Sequence, residues 1–318
     1  MLSLSTEYYQ ILLTQAVVSS LGSGAIFTAC MTATTSWFSK RRATVFGIVN
    51  SGSATGGVVL PIMMTQLFKS TSIGFAWTMR LVGLIFLVFC GISCLTVKAR
   101  VQNQPRRFAL SDFTQCFKER VMVFTMLGGF LFFWGMFLPL SYIIIQAQAS
   151  GVSPSLTPYL LPIINAISLI GRLVVGSLAD VVGRFNSMLI ITGFTGILTL
   201  VLWIPGSSIP GGAETGAIIA YAIAFGFGSG GYVSVFPACV AQISPMAEIG
   251  TRLGLASLCN AFGALTGSPL GGALISNKTG GGNSFLGLQL FCGCTMLSSV
   301  FAYGYARYLQ AGLKWIKI

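Results

Sequence analysis

The sequence predicts an all-α integral membrane protein, a polytopic helix bundle with about nine transmembrane helices. Three observations carry this. Hydrophobic residues make up 54% of the 318 and charged ones only 8%, with a mean hydropathy of +0.84. A soluble domain carries about 25% charged residues, so too few polar side chains are present to cover a globule facing water. The apolar residues run continuously for long stretches and do not alternate, which selects helices over a closed β-barrel. The basic residues sit in short clusters between those stretches.

Nine apolar runs follow in order, each bounded by charge, glycine or proline. The first spans about residues 8–36, between Glu7 and Lys40, and the second 43–67, between Arg42 and Lys69. The third, 74–97, opens at Gly74 and stops at Lys98; the fourth, 121–147, follows Arg120 and ends before Gly151. The fifth, 156–179, lies between Pro154 and Asp180, and the sixth, 186–204, between Arg184 and Pro205. The last three are 214–243, 252–275 and 284–306, separated by Pro245 and by the segment around Lys278. At 1.5 Å per residue each is long enough to cross about 30 Å of hydrocarbon.

Lysine and arginine are retained on the cytoplasmic side of a membrane. One set of loops holds Lys40, Arg41, Arg42, Lys98, Arg100, Arg106, Arg107, Lys118, Arg120, Arg184 and Arg252, together with the tail residues Arg307, Lys314 and Lys317. The opposite set holds Lys69 and Lys278, while Arg80 and Arg172 fall inside runs. This places the N-terminus outside and the C-terminus in the cytoplasm. The polar stretch 98–120, with Pro105 and a cluster of bases, reads as a linker between a three-helix unit at 1–97 and a six-helix unit at 121–318.

Around Trp37 and Phe38 the sequence runs WFSKRRATVFGIVNSGSATGGVVLP. An aromatic pair ends one run, the triplet Lys40, Arg41 and Arg42 follows, and the next run carries Gly47, Gly52, Gly56 and Gly57. A second pattern is GSLADVVGR, with Gly176, Asp180, Gly183 and Arg184. Gly176 is small enough for close helix contact and Gly183 permits a sharp turn. Asp180 and Arg184 can pair and hold two helices together in one conformational state, or can form an incidental surface ion pair.

These stretches resemble the major facilitator superfamily, and within it the monocarboxylate porters, closest to fungal members. The WFSKRR stretch is similar to that group's second signature, between its fourth and fifth helices. GSLADVVGR is similar to the superfamily's loop pattern G-x-x-x-D-x-x-G-R, with Phe185 where a second base is usual. The resemblance implies that the nine runs correspond to family helices four to twelve, that the first three are lacking, and that 1–97 is an incomplete N-terminal bundle. It also implies a secondary transporter that moves a small organic anion or metabolite by alternating access, with protons as a candidate coupling ion and the plasma membrane as the favoured location. Export of a secondary metabolite and a transport-inactive, truncated membrane protein are the other readings.

Arg172 lies eight residues before Asp180, about 12 Å along a helix and near mid-membrane. A charge there requires a cavity, a ligand or a partner. The monocarboxylate porters similarly carry an arginine on this helix that binds the substrate carboxylate. That makes Arg172 the substrate-binding candidate, with Asn165 and Ser168 on the same helix. Animal members carry an aspartate where Ser168 stands. A structural arginine bonded to backbone carbonyls or to Asn165 is the other reading.

The glycine rows at Gly263, Gly267 and Gly271 and at Gly226, Gly228, Gly230 and Gly231 read as packing surfaces, with hinges as the alternative. With no histidine in the chain, and with seven of the eight cysteines inside apolar runs and only Cys116 in a polar loop, neither a metal site nor a cofactor is expected. An enzyme is disfavoured because no nucleophile has a base beside it. The net charge of +12 lacks the basic face with interleaved aromatics that binds nucleic acid. The expected partners are the lipid bilayer and a small-molecule substrate.

Overall fold

The computed structural model describes residues 2–5, 7–38, 40–69, 74–98, 100, 110–206, 213–246, 248–277, 283–312 and 316. Pro105, Arg106, Arg107, Lys278, Lys314 and Lys317 of the sequence argument lie outside the described residues. Every apolar run is a helix: α1 (Tyr8–Trp37), α2 (Arg42–Lys69) and α3 (Gly74–Thr96), then α5 (Arg120–Ala149), α6 (Leu160–Val182), α7 (Arg184–Trp203), α8 (Ala213–Gln242), α9 (Ile249–Ala273) and α10 (Leu286–Ala311). Among the described residues eight helices are long and apolar enough to cross a membrane. The ninth, α9, has 25 residues but carries Arg252, Asn260 and a row of glycines, which lower its hydropathy. It packs lengthwise on α5, itself a spanning helix.

Two local features depart from the sequence reading. A short helix, α4 (Leu110–Cys116), stands where a polar loop was expected to hold Cys116. It packs against α9, and Cys116 is buried, which pushes its thiol pKa up. After α9, β1 (Ser276–Asn277) pairs antiparallel with β2 (Asn283–Ser284) in a two-residue ribbon.

The chain forms two compact units. The smaller comprises Met1–Ser39 and Val59–Arg106, the larger Lys40–Val58 and Arg107–Ile318. In the smaller unit Phe68 stacks on Phe75 at 6.1 Å, and the Arg80 guanidinium lies 4.8 Å from the ring of Trp77. A cation on an aromatic face keeps a charged side chain at low desolvation cost, which accounts for a base inside an apolar run. Trp37 donates its indole N–H to the carbonyl of Lys98 at 2.7 Å and so ties the chain after α3 to the end of α1.

In the larger unit α8 packs on α6 and α7, while α5 packs on α9 and α10. Lipid is as apolar as leucine, so association here rests on close packing and hydrogen bonds. Both are present. A Cβ on Gly263 would lie 2.6 Å from the carbonyl oxygen of Phe130, and Cβ atoms on Gly267 and Gly271 would overlap the Trp134 carbonyl and the Leu138 side chain. Likewise a Cβ on Gly226 would lie 2.6 Å from the carbonyl oxygen of Ile164, and one on Gly230 would overlap that of Ser168. The first row is therefore the surface along which α9 meets α5; in the second, Gly226 and Gly230 meet α6 while Gly228 meets Thr195 of α7. Buried polar pairs fix the rest of the packing: Tyr232 and Tyr303 share a hydrogen bond at 2.9 Å, and the Trp203 indole N–H donates to Gln146.

Candidate functional site

The site is built where the first half of α2, residues 42–58, lies against α6 and α8. Small residues make the approach close. A Cβ on Gly47 would overlap the carbonyl oxygen of Arg172, and one on Gly176 would lie 2.8 Å from that of Ala43. A Cβ on Gly57 would lie 2.6 Å from Oδ1 of Asn165. Gly52 has nothing within 4 Å, and Gly56 is half-buried. Asn50 donates to the carbonyl of Val233 at 3.3 Å, and Arg42 to that of Ala241 at 3.2 Å, so α2 is fastened to α8 at two levels.

At the Arg42 end of α2 the backbone N–H groups of the first turn have no partners within their own helix. Asp180 supplies the acceptor. Its carboxylate accepts from the N–H of Ala43 at 3.2 Å, and from the N–H and hydroxyl of Thr44 at 2.8 Å each. A helix N-terminus behaves as about half a positive charge, so a carboxylate there is favoured by electrostatics as well as hydrogen bonding. Arg184, four residues on, pairs with Asp180 at 3.5 Å and donates to Gln242 at 3.5 Å. Both side chains are largely buried, 7% and 13% exposed, which raises the weight of the pair above that of a surface ion pair. Gly183 joins α6 to α7 with φ of +109°, a conformation side-chain-bearing residues rarely adopt. The pattern read as a pair between Asp180 and Arg184 thus also caps a helix more than a hundred residues earlier in the chain.

Farther along α6, Arg172 is 8% exposed. Its Nη1 donates to the carbonyl of Asn50 and to the hydroxyl of Ser53, the latter at 2.5 Å. Its Nε is buried without a hydrogen-bond partner, and among the described residues no carboxylate pairs with it. Its own carbonyl accepts from Ser234 of α8 at 3.1 Å. Asn165 bonds back to the Leu161 carbonyl at 3.0 Å and faces Gly57. Ser168 is buried on the α8 side, against Gly230. The three binding candidates therefore part company: Arg172 and Asn165 meet α2, whereas Ser168 meets α8. Trp37 and Phe38 are exposed in the smaller unit, and of the basic triplet Lys40 and Arg41 are exposed while Arg42 reaches α8.

The family model of the Major Facilitator Superfamily matches residues 1–216, well over half of the chain. The chain belongs to the Major Facilitator Superfamily. This facilitator is similar to the MFS transporter asaE of Aspergillus flavus, at 40% identity over 99% of this chain and 69% of that one. It is similar also to the Fujikurins efflux protein of Gibberella fujikuroi, 35% identical over 93% of this chain and 62% of that one. Among solved structures, a bacterial homologue of the iron transporter ferroportin superposes with a TM-score of 0.59 at 14% identity, covering 85% of this chain and 65% of that one. That likeness is one of fold. The facilitator spans about two thirds of the length of these proteins. It is thus a multi-pass membrane transporter of a small molecule, in a family of transporters and not of enzymes.

One arrangement of this facilitator had no precedent in the sequence reading. Arg252, counted there only as a loop base, grips Glu119 through two hydrogen bonds of 2.6 Å and Glu248 at 3.2 Å. It ties the start of α5 to the start of α9. The i,i+4 spacing of Glu248 and Arg252 was a readable signal; the bidentate partner 133 residues away was not.

The Asp180 geometry sets an expectation for transport. An asparagine keeps one acceptor oxygen but loses the charge that pairs with Arg184 and with the α2 N-terminus, an effect on the order of 1–2 kcal/mol. Asp180→Asn should slow transport roughly tenfold by this loss, at surface levels close to the parent's. Flux measured against surface biotinylation checks this; parallel loss of both would make Asp180 a folding residue only.

Proposed function

We propose that this facilitator exports a small organic anion, such as an acidic secondary metabolite, by alternating access, and that Arg172 receives the anionic group. The observation that carries the reading is a guanidinium buried deep in α6 with no acid to neutralise it among the described residues. A permanent charge at that depth is retained at a cost of several kcal/mol, and anion recognition is the function that explains keeping it. The direction of transport rests on relatives such as the Fujikurins efflux protein. Asn165, two turns earlier on the same face of α6, completes the candidate contact set.

Residues 1–97 would contribute to one bundle and 121–318 would form the other, joined by the linker at 98–120. The loop bases would face the cytoplasm of a plasma-membrane protein with its N-terminus outside. Protons are the candidate coupling ion, and the monocarboxylate-porter likeness is the basis for a carboxylate substrate.

Everted vesicles from cells expressing the chain provide the test, with fluorescent 1-naphthoate as the probe. Export predicts accumulation inside everted vesicles at least severalfold above vesicles bearing Arg172→Gln, with a C-terminal tag open to added protease. Accumulation only in right-side-out vesicles would reverse the direction, and equal flux with and without Arg172 would remove the anion site.

A further inference from the structure

We propose that Arg172 is a latch as well as an anion contact: in this conformation it holds α6 to α2, and an arriving anion releases it. The inference rests on the anion reading above and adds what the substrate displaces. A carboxylate binds arginine through two neighbouring N–H groups presented side by side. Here neither edge of the guanidinium is open. Nη1 is engaged with the Asn50 carbonyl and the Ser53 hydroxyl, and Nε is sealed from solvent without a partner. An anion therefore cannot take a bidentate grip while the bonds to α2 persist. Substrate and α2 compete for one guanidinium.

The latched state is also poised to give way. A buried N–H with no acceptor carries its full desolvation penalty, so the contacts to α2 satisfy the guanidinium only in part. A carboxylate offers two oxygens in the fork geometry and neutralises the charge. Because Gly47 brings α2 hard against the Arg172 carbonyl, loosening at Arg172 acts on the same helix contact that Asp180 caps about 12 Å farther along α6. Substrate arrival in mid-membrane is thereby coupled to the hold on the α2 N-terminus.

Competition makes a sign prediction. If the latch holds Arg172 back, apparent affinity is lowered by the fraction of protein latched, and weakening the latch raises it. Ser53→Ala removes one acceptor from Nη1 and leaves the arginine intact. By titration of the purified full chain, Ser53→Ala should tighten 1-naphthoate binding roughly three- to tenfold. Ser53→Thr, which keeps the hydroxyl, should restore the parent's affinity, and Arg172→Gln should weaken binding about a hundredfold or more in either background. Unchanged or weaker binding by Ser53→Ala, with Arg172 still required, would overturn the latch alone and make Ser53 a bystander or a substrate contact. Binding that ignores Arg172→Gln would overturn the anion site, and the latch with it.

Discussion

Gly47→Leu is expected to abolish transport while Gly52→Leu, five residues along the same helix, leaves folding intact. The contrast follows from what surrounds each residue. A Cβ at Gly47 already overlaps a backbone carbonyl of α6, and a carbonyl cannot yield as the end of a flexible side chain can. At Gly52 there is open space within 4 Å. Overpacking a close helix contact costs about 1–3 kcal/mol, and here the strain falls on the junction that positions both the Asp180 cap and the Arg172 bonds. Gly47→Leu should lower the melting temperature by about 5 °C and cut naphthoate flux to less than about a tenth. Thermal denaturation by intrinsic tryptophan fluorescence and vesicle flux measure the two effects. Parent-like stability and flux in Gly47→Leu would show that α2 and α6 do not need this approach.

The fold was legible for a simple reason: every backbone group in a bilayer must be satisfied within its own segment, so each long apolar run is compelled to be a helix. The bounds found by charge, glycine and proline agree with the helices to within a few residues, as for the run 74–97 and helix α3 at Gly74–Thr96. Glycine rows at a four-residue spacing also announced themselves, because small residues repeated on one face let a helix approach a neighbouring backbone closely. The i,i+4 geometry of Asp180 and Arg184 was readable from spacing alone. What spacing cannot supply is the partner from a distant helix. That Asp180 accepts from Thr44, that Arg172 donates to Asn50, and that Arg252 grips Glu119 are outcomes of which helices become neighbours. Cys116 was misplaced because a seven-residue helix in a polar segment leaves too short a periodic signal.

Arg172→Gln should weaken naphthoate binding about a hundredfold or more without loss of folded protein, since two charge-assisted hydrogen bonds contribute about 3–6 kcal/mol together and each 1.4 kcal/mol is tenfold. The same substitution discriminates between the two roles open to a buried arginine. A purely structural arginine, bonded to the Asn50 carbonyl and the Ser53 hydroxyl, would take two contacts between α6 and α2 with it when replaced, and the protein would lose stability. An arginine kept for substrate is itself a burden when no substrate is bound. Loss of its two bonds to α2 is then offset by removal of a desolvated charge with an unpartnered Nε and no carboxylate among the described residues, so glutamine should leave the melting temperature nearly unchanged. Arg172→Lys refines the test. Lysine keeps the charge but replaces the planar fork with a point donor, so binding should fall by about tenfold and discrimination between carboxylates should narrow. Calorimetric titration of the three proteins with naphthoate, read beside their thermal denaturation, gives both quantities. Lost stability with unchanged affinity would make Arg172 a structural clamp between α6 and α2, and the anion assignment would fall.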